Sequence, residues 1–222
     1  MSRKYPVIAV TGSSGAGTTT VKRAFENIFR REFRRDKVKV AIIEGDSLHS
    51  LDRMQFRAAM AEAAKAGNHS FSHFGPEANH FDKIEETFKT FGETGSCKRR
   101  YYIHSDAEAK ELNARFNTNL TAGQFTPWEN IEPGYDMLFY EGLHGMVKTD
   151  TVDAAKHVDL SIGVVPIVNL EWIQKIHRDG AERGVEARPP LRPLGDGQRD
   201  AGPHRAHGGA RPREGAGRRR RP

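Results

Sequence analysis

Gly12-Ser13-Ser14-Gly15-Ala16-Gly17-Thr18-Thr19-Thr20 has the spacing with which a backbone wraps a phosphate. Glycines placed this way let successive N–H groups turn inward toward an anion. The apolar run Tyr5 to Val10 precedes the loop and an amphipathic pattern follows it. The next helix would therefore aim its positive N-terminus at the same group. One position departs from the pattern, because Thr18 stands where a lysine is expected. Thr19 takes the hydroxyl position that usually ligands Mg²⁺ beside a nucleotide. The missing cation must come from elsewhere in the chain. The plain alternative is a Gly/Ser-rich turn that binds nothing.

Asp46 follows a second apolar run at the strand end where open α/β sheets place their ligands. A carboxylate there can accept the proton of an attacking hydroxyl; it can equally cap the next helix. His49 and Arg53 lie three and seven residues on. On a helix they would share a face with Asp46, as an acid–imidazole–guanidinium cluster suited to a phosphorylated polyol. Glu141 ends another buried run, at the place where phosphate-loop proteins keep a metal-binding acid. Lys175, Arg178 and Arg183 form the second charged cluster. Lys175 and Arg178 are three apart and point together on a helix. A solvated helix end is the ordinary reading of such a run. The empty lysine position favours a functional one, since phosphoryl transfer needs cationic charge near the transferred group. His69, His73 and His80 read as loop residues, and Lys98-Arg99-Arg100 as a solvated run.

These residues need elements to place them. Pro6–Val10 reads as a strand buried on both faces. Val21, Ala24, Phe25, Ile28 and Phe29 make residues 18–31 an amphipathic helix. Residues 38–44 form the second strand, so the unit is βαβ and the sheet parallel. Helices are expected over 52–66, 82–91 and 106–116, with a short strand at 101–103. Residues 67–79 and 117–136 read as loops. Buried strands at 137–140 and 160–168 and a helix from Leu170 complete an α/β alternation. The resulting fold class is α/β, with a mainly parallel sheet flanked by helices.

The 222 residues carry a net charge of +6 and a single cysteine. That charge is local. Residues 185–222 hold ten Arg against four acids, while residues 1–184 hold 25 basic and 25 acidic side chains. A dedicated nucleic-acid role is therefore not indicated, although an Arg-rich tail can bind nucleic acid nonspecifically. Of those last 38 residues, 28 are Arg, Gly, Pro or Ala. Such a segment cannot bury enough apolar surface to offset its ordering entropy, so a disordered tail is expected. A shifted reading frame in GC-rich coding DNA would generate the same composition. Cys97 alone excludes an intrachain disulfide and points to a reducing compartment. No run approaches the roughly 18 apolar residues of a membrane helix, and the start of the chain has no signal-peptide pattern. A cytoplasmic protein is expected.

The glycine loop, with Thr in the lysine position, resembles that of bacterial phosphoribulokinases. So do Ile43-Glu-Gly-Asp46 with His49, Phe71-Ser-His-Phe74, Phe139-Tyr-Glu-Gly-Leu-His-Gly145, and Val165-Pro with Asn169 to Asp179. The resemblance spans residues 4 to about 184. It implies a P-loop kinase domain over 1–184, incomplete relative to the family, followed by the 185–222 tail. The implied activity is ATP-dependent phosphorylation of D-ribulose 5-phosphate in the Calvin cycle. ATP and Mg²⁺ would be held at Gly12 to Thr20, with Thr19 and Glu141 at the metal. Asp46 would be the base, and Lys175 and Arg178 would flank the transferred phosphate. His49, Arg53, His104 and Arg183 would contact the sugar phosphate. The resemblance also implies a homo-oligomer, and NADH as an allosteric activator acting near Arg31. Gly180 stands where the family usually has Arg, and nothing after about Gly184 resembles it. A uridine-kinase-like enzyme and a nucleotide-binding chain without turnover remain alternatives. The absence of an NKxD motif argues against a GTPase.

Overall fold

The computed structural model describes residues 4–13, 15–32 and 38–183. Ser14 and the tail expected over 185–222 lie outside the described residues.

The first strand, β1 (Val7–Gly12), alternates between two cores. Val7 and Ala9 face one cluster, built on Ile84, Phe88, Phe91 and Tyr140. Ile8 and Val10 face the other with Phe139, against which Val21, Phe25 and Phe29 pack. The period of two in a strand explains how so short a run serves both faces. Helix α1 (Thr18–Glu32) supplies the second layer, its aromatic face lying on Phe139 with Phe25 at 5.4 Å between ring centroids.

Strands β2 (Val40–Glu44), β5 (Met137–Gly142) and β6 (Leu160–Val164) complete the main sheet. Its order is β2-β5-β1-β6 and every pairing in it is parallel. The sheet therefore confirms the parallel expectation, with β5 inserted between the two strands that are consecutive in sequence. This register sets Glu44 opposite Glu141. Two acids thus stand side by side at the carboxyl end of the sheet.

Helix α2 (Arg53–Lys65) starts at a capping box, with Asp52 accepting from the Met54 and Gln55 backbone N–H groups. Helix α3 (Phe81–Thr94) presents Ile84, Phe88 and Phe91 to the sheet and ends at Gly95 in the left-handed region. Helix α4 (Asp106–Phe116) matches its expected range. Helix α5 (Val168–Arg183) follows β6 after a short connection.

Three expectations need correction. The strand expected to be buried over 160–168 ends at Val164 with Leu160 exposed at the sheet edge, and α5 starts at Val168. The short strand lies at β3 (Cys97–Arg99) rather than at 101–103, and Tyr102 makes only an isolated bridge to Phe125. The 117–136 segment is not all loop: Glu129–Ile131 forms β4, antiparallel to β3. Three residues give too little alternation to distinguish such a strand from its Gly- and Pro-rich surroundings. Cys97 is buried and its thiol is pushed up to about 12 by burial, so it is an inert core residue.

Candidate active site

The glycine loop bends as its composition demands. Gly15 has φ +95° and Gly17 has φ +100°. At Gly15 a side chain would also meet the next layer: a Cβ there would lie 3.0 Å from the Glu171 carbonyl oxygen and 3.1 Å from Lys175 Cβ. The Glu171–Lys175 turn of α5 is therefore seated on the loop. This places the root of the Lys175 side chain beside the loop that lacks its own lysine.

Thr18 occupies that lysine position, and its hydroxyl donates to Glu141 Oε1 at 2.5 Å. Thr19 and Thr20, one and two residues further, are exposed. Glu141 is raised above the usual carboxylate range, chiefly by burial. Glu44 and Asp46 add to the rise, while the Thr18 hydroxyl and Lys22 oppose it. Lys22, one turn into α1, pairs with Glu44 at 2.8 Å. Lys22 and Glu44 were not among the sequence candidates. The signal for them was positional, one turn after the loop and one residue before Gly45.

Asp46 sits in a single 3-10 turn, Gly45–Leu48. The turn ends at His49 in extended geometry, and α2 begins only at Arg53. The expectation of one helix carrying Asp46, His49 and Arg53 on a shared face is therefore corrected. Asp46 is not the cap either; Asp52 is. The cluster forms through loops instead. Asp46 lies 3.6 Å from His49 Nε2 and 4.0 Å from His104 Nε2, a carboxylate between two imidazoles. His104 packs edge-on to Tyr102, and the Arg53 guanidinium lies 6.0 Å from the same ring.

Sequence reasoning set His73 aside as a loop residue. In the structure His73 stacks on Phe56 at 3.6 Å and lies 5.6 Å from His49, centroid to centroid. Burial, with the charges of His49 and Lys175, lowers its pKa, and Asp46 opposes that. His73 thus shares one electrostatic neighbourhood with Asp46, His49 and Lys175. Arg100 is a second correction, because it is no solvated residue. It donates to the Ser47 carbonyl at 2.8 Å and to the His49 carbonyl at 2.5 Å, and its guanidinium covers the Phe125 ring at 3.8 Å. Burial lowers it to about 10. It buttresses the turn that carries Asp46. The backbones of Arg178 and Arg183 continue α5, and their side chains lie outside the described ones.

The glycine loop, an acid between imidazoles and a lysine-bearing helix thus converge at the carboxyl ends of β1, β2 and β5. The sequence pattern of the phosphoribulokinase/uridine kinase family matches residues 7–188. This chain belongs to that family. A phosphoribulokinase of Nitrobacter vulgaris is 53% identical over 184 residues, and one of Xanthobacter flavus 56% identical over 184. Each alignment covers 83% of this chain and 60% of the relative. The solved phosphoribulokinase from Rhodobacter spheroides superposes with TM-score 0.67 at 45% identity, over 82% of this chain and 58% of that one. The chain thus spans about 60% of the length of the curated relatives it matches. Among the described residues no helix is long and apolar enough to cross a membrane.

Proposed function

We propose that this site transfers the γ-phosphoryl group of ATP to D-ribulose 5-phosphate, giving D-ribulose 1,5-bisphosphate for carbon dioxide fixation in the Calvin cycle. The observation that carries this reading is the Asp46 carboxylate held between His49 and His104, beside a glycine loop on which Lys175 is seated. Family membership supplies the kinase chemistry, and the relatives named phosphoribulokinase supply the acceptor.

Asp46 takes the proton from the C1 hydroxyl of the sugar as that oxygen attacks. Loop N–H groups, the α1 N-terminus and Lys175 hold the transferred phosphate and the charge that develops on it. His49, His104, Arg53 and Arg183 are assigned to the sugar phosphate, and Arg178 is assigned with Lys175 to the transferred group. Glu141 and the Thr19 hydroxyl offer hard oxygen donors where Mg²⁺ would accompany the nucleotide. Among the described residues no group of three His, Cys, Asp or Glu forms a metal cluster. When bound, Mg²⁺ supplies charge neutralisation at the phosphate oxygens. The reading extends to a cytoplasmic homo-oligomer, with NADH as an allosteric activator near the exposed Arg31.

The test is ADP release with ribulose 5-phosphate and with uridine as acceptors. Turnover on ribulose 5-phosphate is expected; turnover on uridine alone overturns the assignment. A nucleotide-binding chain without turnover is the second reading. ATP binding without ADP release on either acceptor identifies that case.

A further inference from the structure

The chain leaves β2, passes through the Asp46 turn, and returns to it from the Phe71–Asn79 segment. Two backbone hydrogen bonds hold the return in place, from Ser50 N–H to the Ala78 carbonyl and from His80 N–H to the Leu48 carbonyl, each 2.9 Å. His49 and Asn79 are thereby paired across a single antiparallel bridge. Asn79 is 6% exposed, and its side chain is fully committed. Its Nδ2 donates to the His73 carbonyl at 2.7 Å and to the Gly75 carbonyl at 2.8 Å. Its Oδ1 lies 2.7 Å from His49 Nδ1.

Two carbonyl acceptors fix which end of the amide is nitrogen, so Oδ1 can only accept. His49 must then donate from Nδ1. The other ring nitrogen, Nε2, faces the Asp46 carboxylate. A neutral ring with Nδ1 protonated would turn a lone pair toward that carboxylate, whereas an imidazolium donates on both sides. We propose that Asn79 is a positioning residue that holds His49 as an Nδ1–H imidazolium facing Asp46, ready to meet a phosphorylated acceptor. This role rests on the proposed kinase reading, while the protonation state itself does not.

The groups around the ring act in both directions. Burial lowers the His49 pKa, but the Asp46 carboxylate 3.6 Å away, then Asn79 and the Ala78 backbone, outweigh it. His73 and His144 lie within electrostatic reach, and the Arg100 guanidinium binds the His49 carbonyl. Lys175 acts on the neighbouring His73.

Long-range ¹H–¹⁵N spectra of the histidine rings, recorded on the whole chain across pH, test this. The His49 signals are assigned with His49→Gln. In the wild type, His49 should titrate above the ordinary histidine midpoint and pass to a neutral form protonated on Nδ1. In Asn79→Ala the midpoint should fall by about one pH unit and the neutral form should become mainly Nε2–H. Asn79→Asp keeps the acceptor and should keep Nδ1 protonated. A wild-type neutral form protonated on Nε2, or an Asn79→Ala protein with unchanged tautomer and midpoint, overturns the proposal, and the first result needs no variant to fold. Titration of ribulose 5-phosphate into the same samples separates the two readings. An intact tautomer without sugar-phosphate binding refutes the substrate assignment and leaves only the Asn79-set protonation state of His49 standing.

Discussion

The hydroxyl of Thr18 donates to Glu141 Oε1 across 2.5 Å, joining the glycine loop after β1 to the end of β5. In this chain the lysine position of the loop is a hydrogen-bond donor to the acid expected at the metal. Removing the hydroxyl with Thr18→Val leaves a half-buried carboxylate without it. A loss of about 1–3 kcal/mol in unfolding free energy is expected from denaturant titration. Unchanged stability would show that the contact contributes nothing.

The two left-handed glycines of the loop separate strain from crowding. Gly17 has open space around a Cβ, whereas Gly15 is pressed by Glu171 and Lys175. Gly17→Ala therefore bears conformational strain alone, on the order of 1 kcal/mol. Gly15→Ala bears the same strain and also moves α5 off the loop. ATP affinity measured by calorimetry should fall several-fold more in Gly15→Ala than in Gly17→Ala. Equal losses would contradict the seating of Lys175 on the loop.

His49 gives the pH dependence a sign. Its folded pKa is raised above the ordinary 6.5, so the charged ring contributes stability fully below about pH 6.5. That contribution disappears as pH rises through the folded value. The stability difference between wild type and His49→Gln should accordingly shrink from about pH 6.5 upward. Ribulose 5-phosphate affinity should decline over the same interval. A difference that grows with pH would reverse the sign and contradict the imidazolium.

Arg100 supports the Asp46 turn by binding two of its carbonyls while stacked on Phe125 and Trp128. Arg100→Met keeps much of the apolar stem and leaves both carbonyls unpaired. A destabilisation of about 2–4 kcal/mol is expected, together with weaker sugar-phosphate binding. A stable variant with normal affinity would return Arg100 to the solvated surface.

The parts of the site legible in the sequence were those whose geometry is local. The glycine loop needs only its own φ angles and the helix that follows. Asp46 and Glu141 are marked by ending apolar strands, and Lys175 by the cation that the loop lacks. The helix proposed to unite Asp46, His49 and Arg53 failed because Asp52 caps α2 and restarts the backbone after a 3-10 turn. His73, Asn79 and Arg100 were not legible. Each acquires its role when a distant part of the chain, 30 residues on for Asn79 and 51 for Arg100, closes over the turn, and spacing within one element carries no sign of that. The strand order is similar, since β5 enters between β1 and β2 only after three α-helices and the β3–β4 pair.

Asp46→Asn tests the central claim most directly, with ADP release and ATP binding measured on the same preparations. The wild type should release ADP in the presence of ribulose 5-phosphate. The variant should bind ATP with near-unchanged affinity while turnover falls by at least about two orders of magnitude. Near-normal turnover in Asp46→Asn would contradict the account, because the carboxylate between His49 and His104 would not be the base.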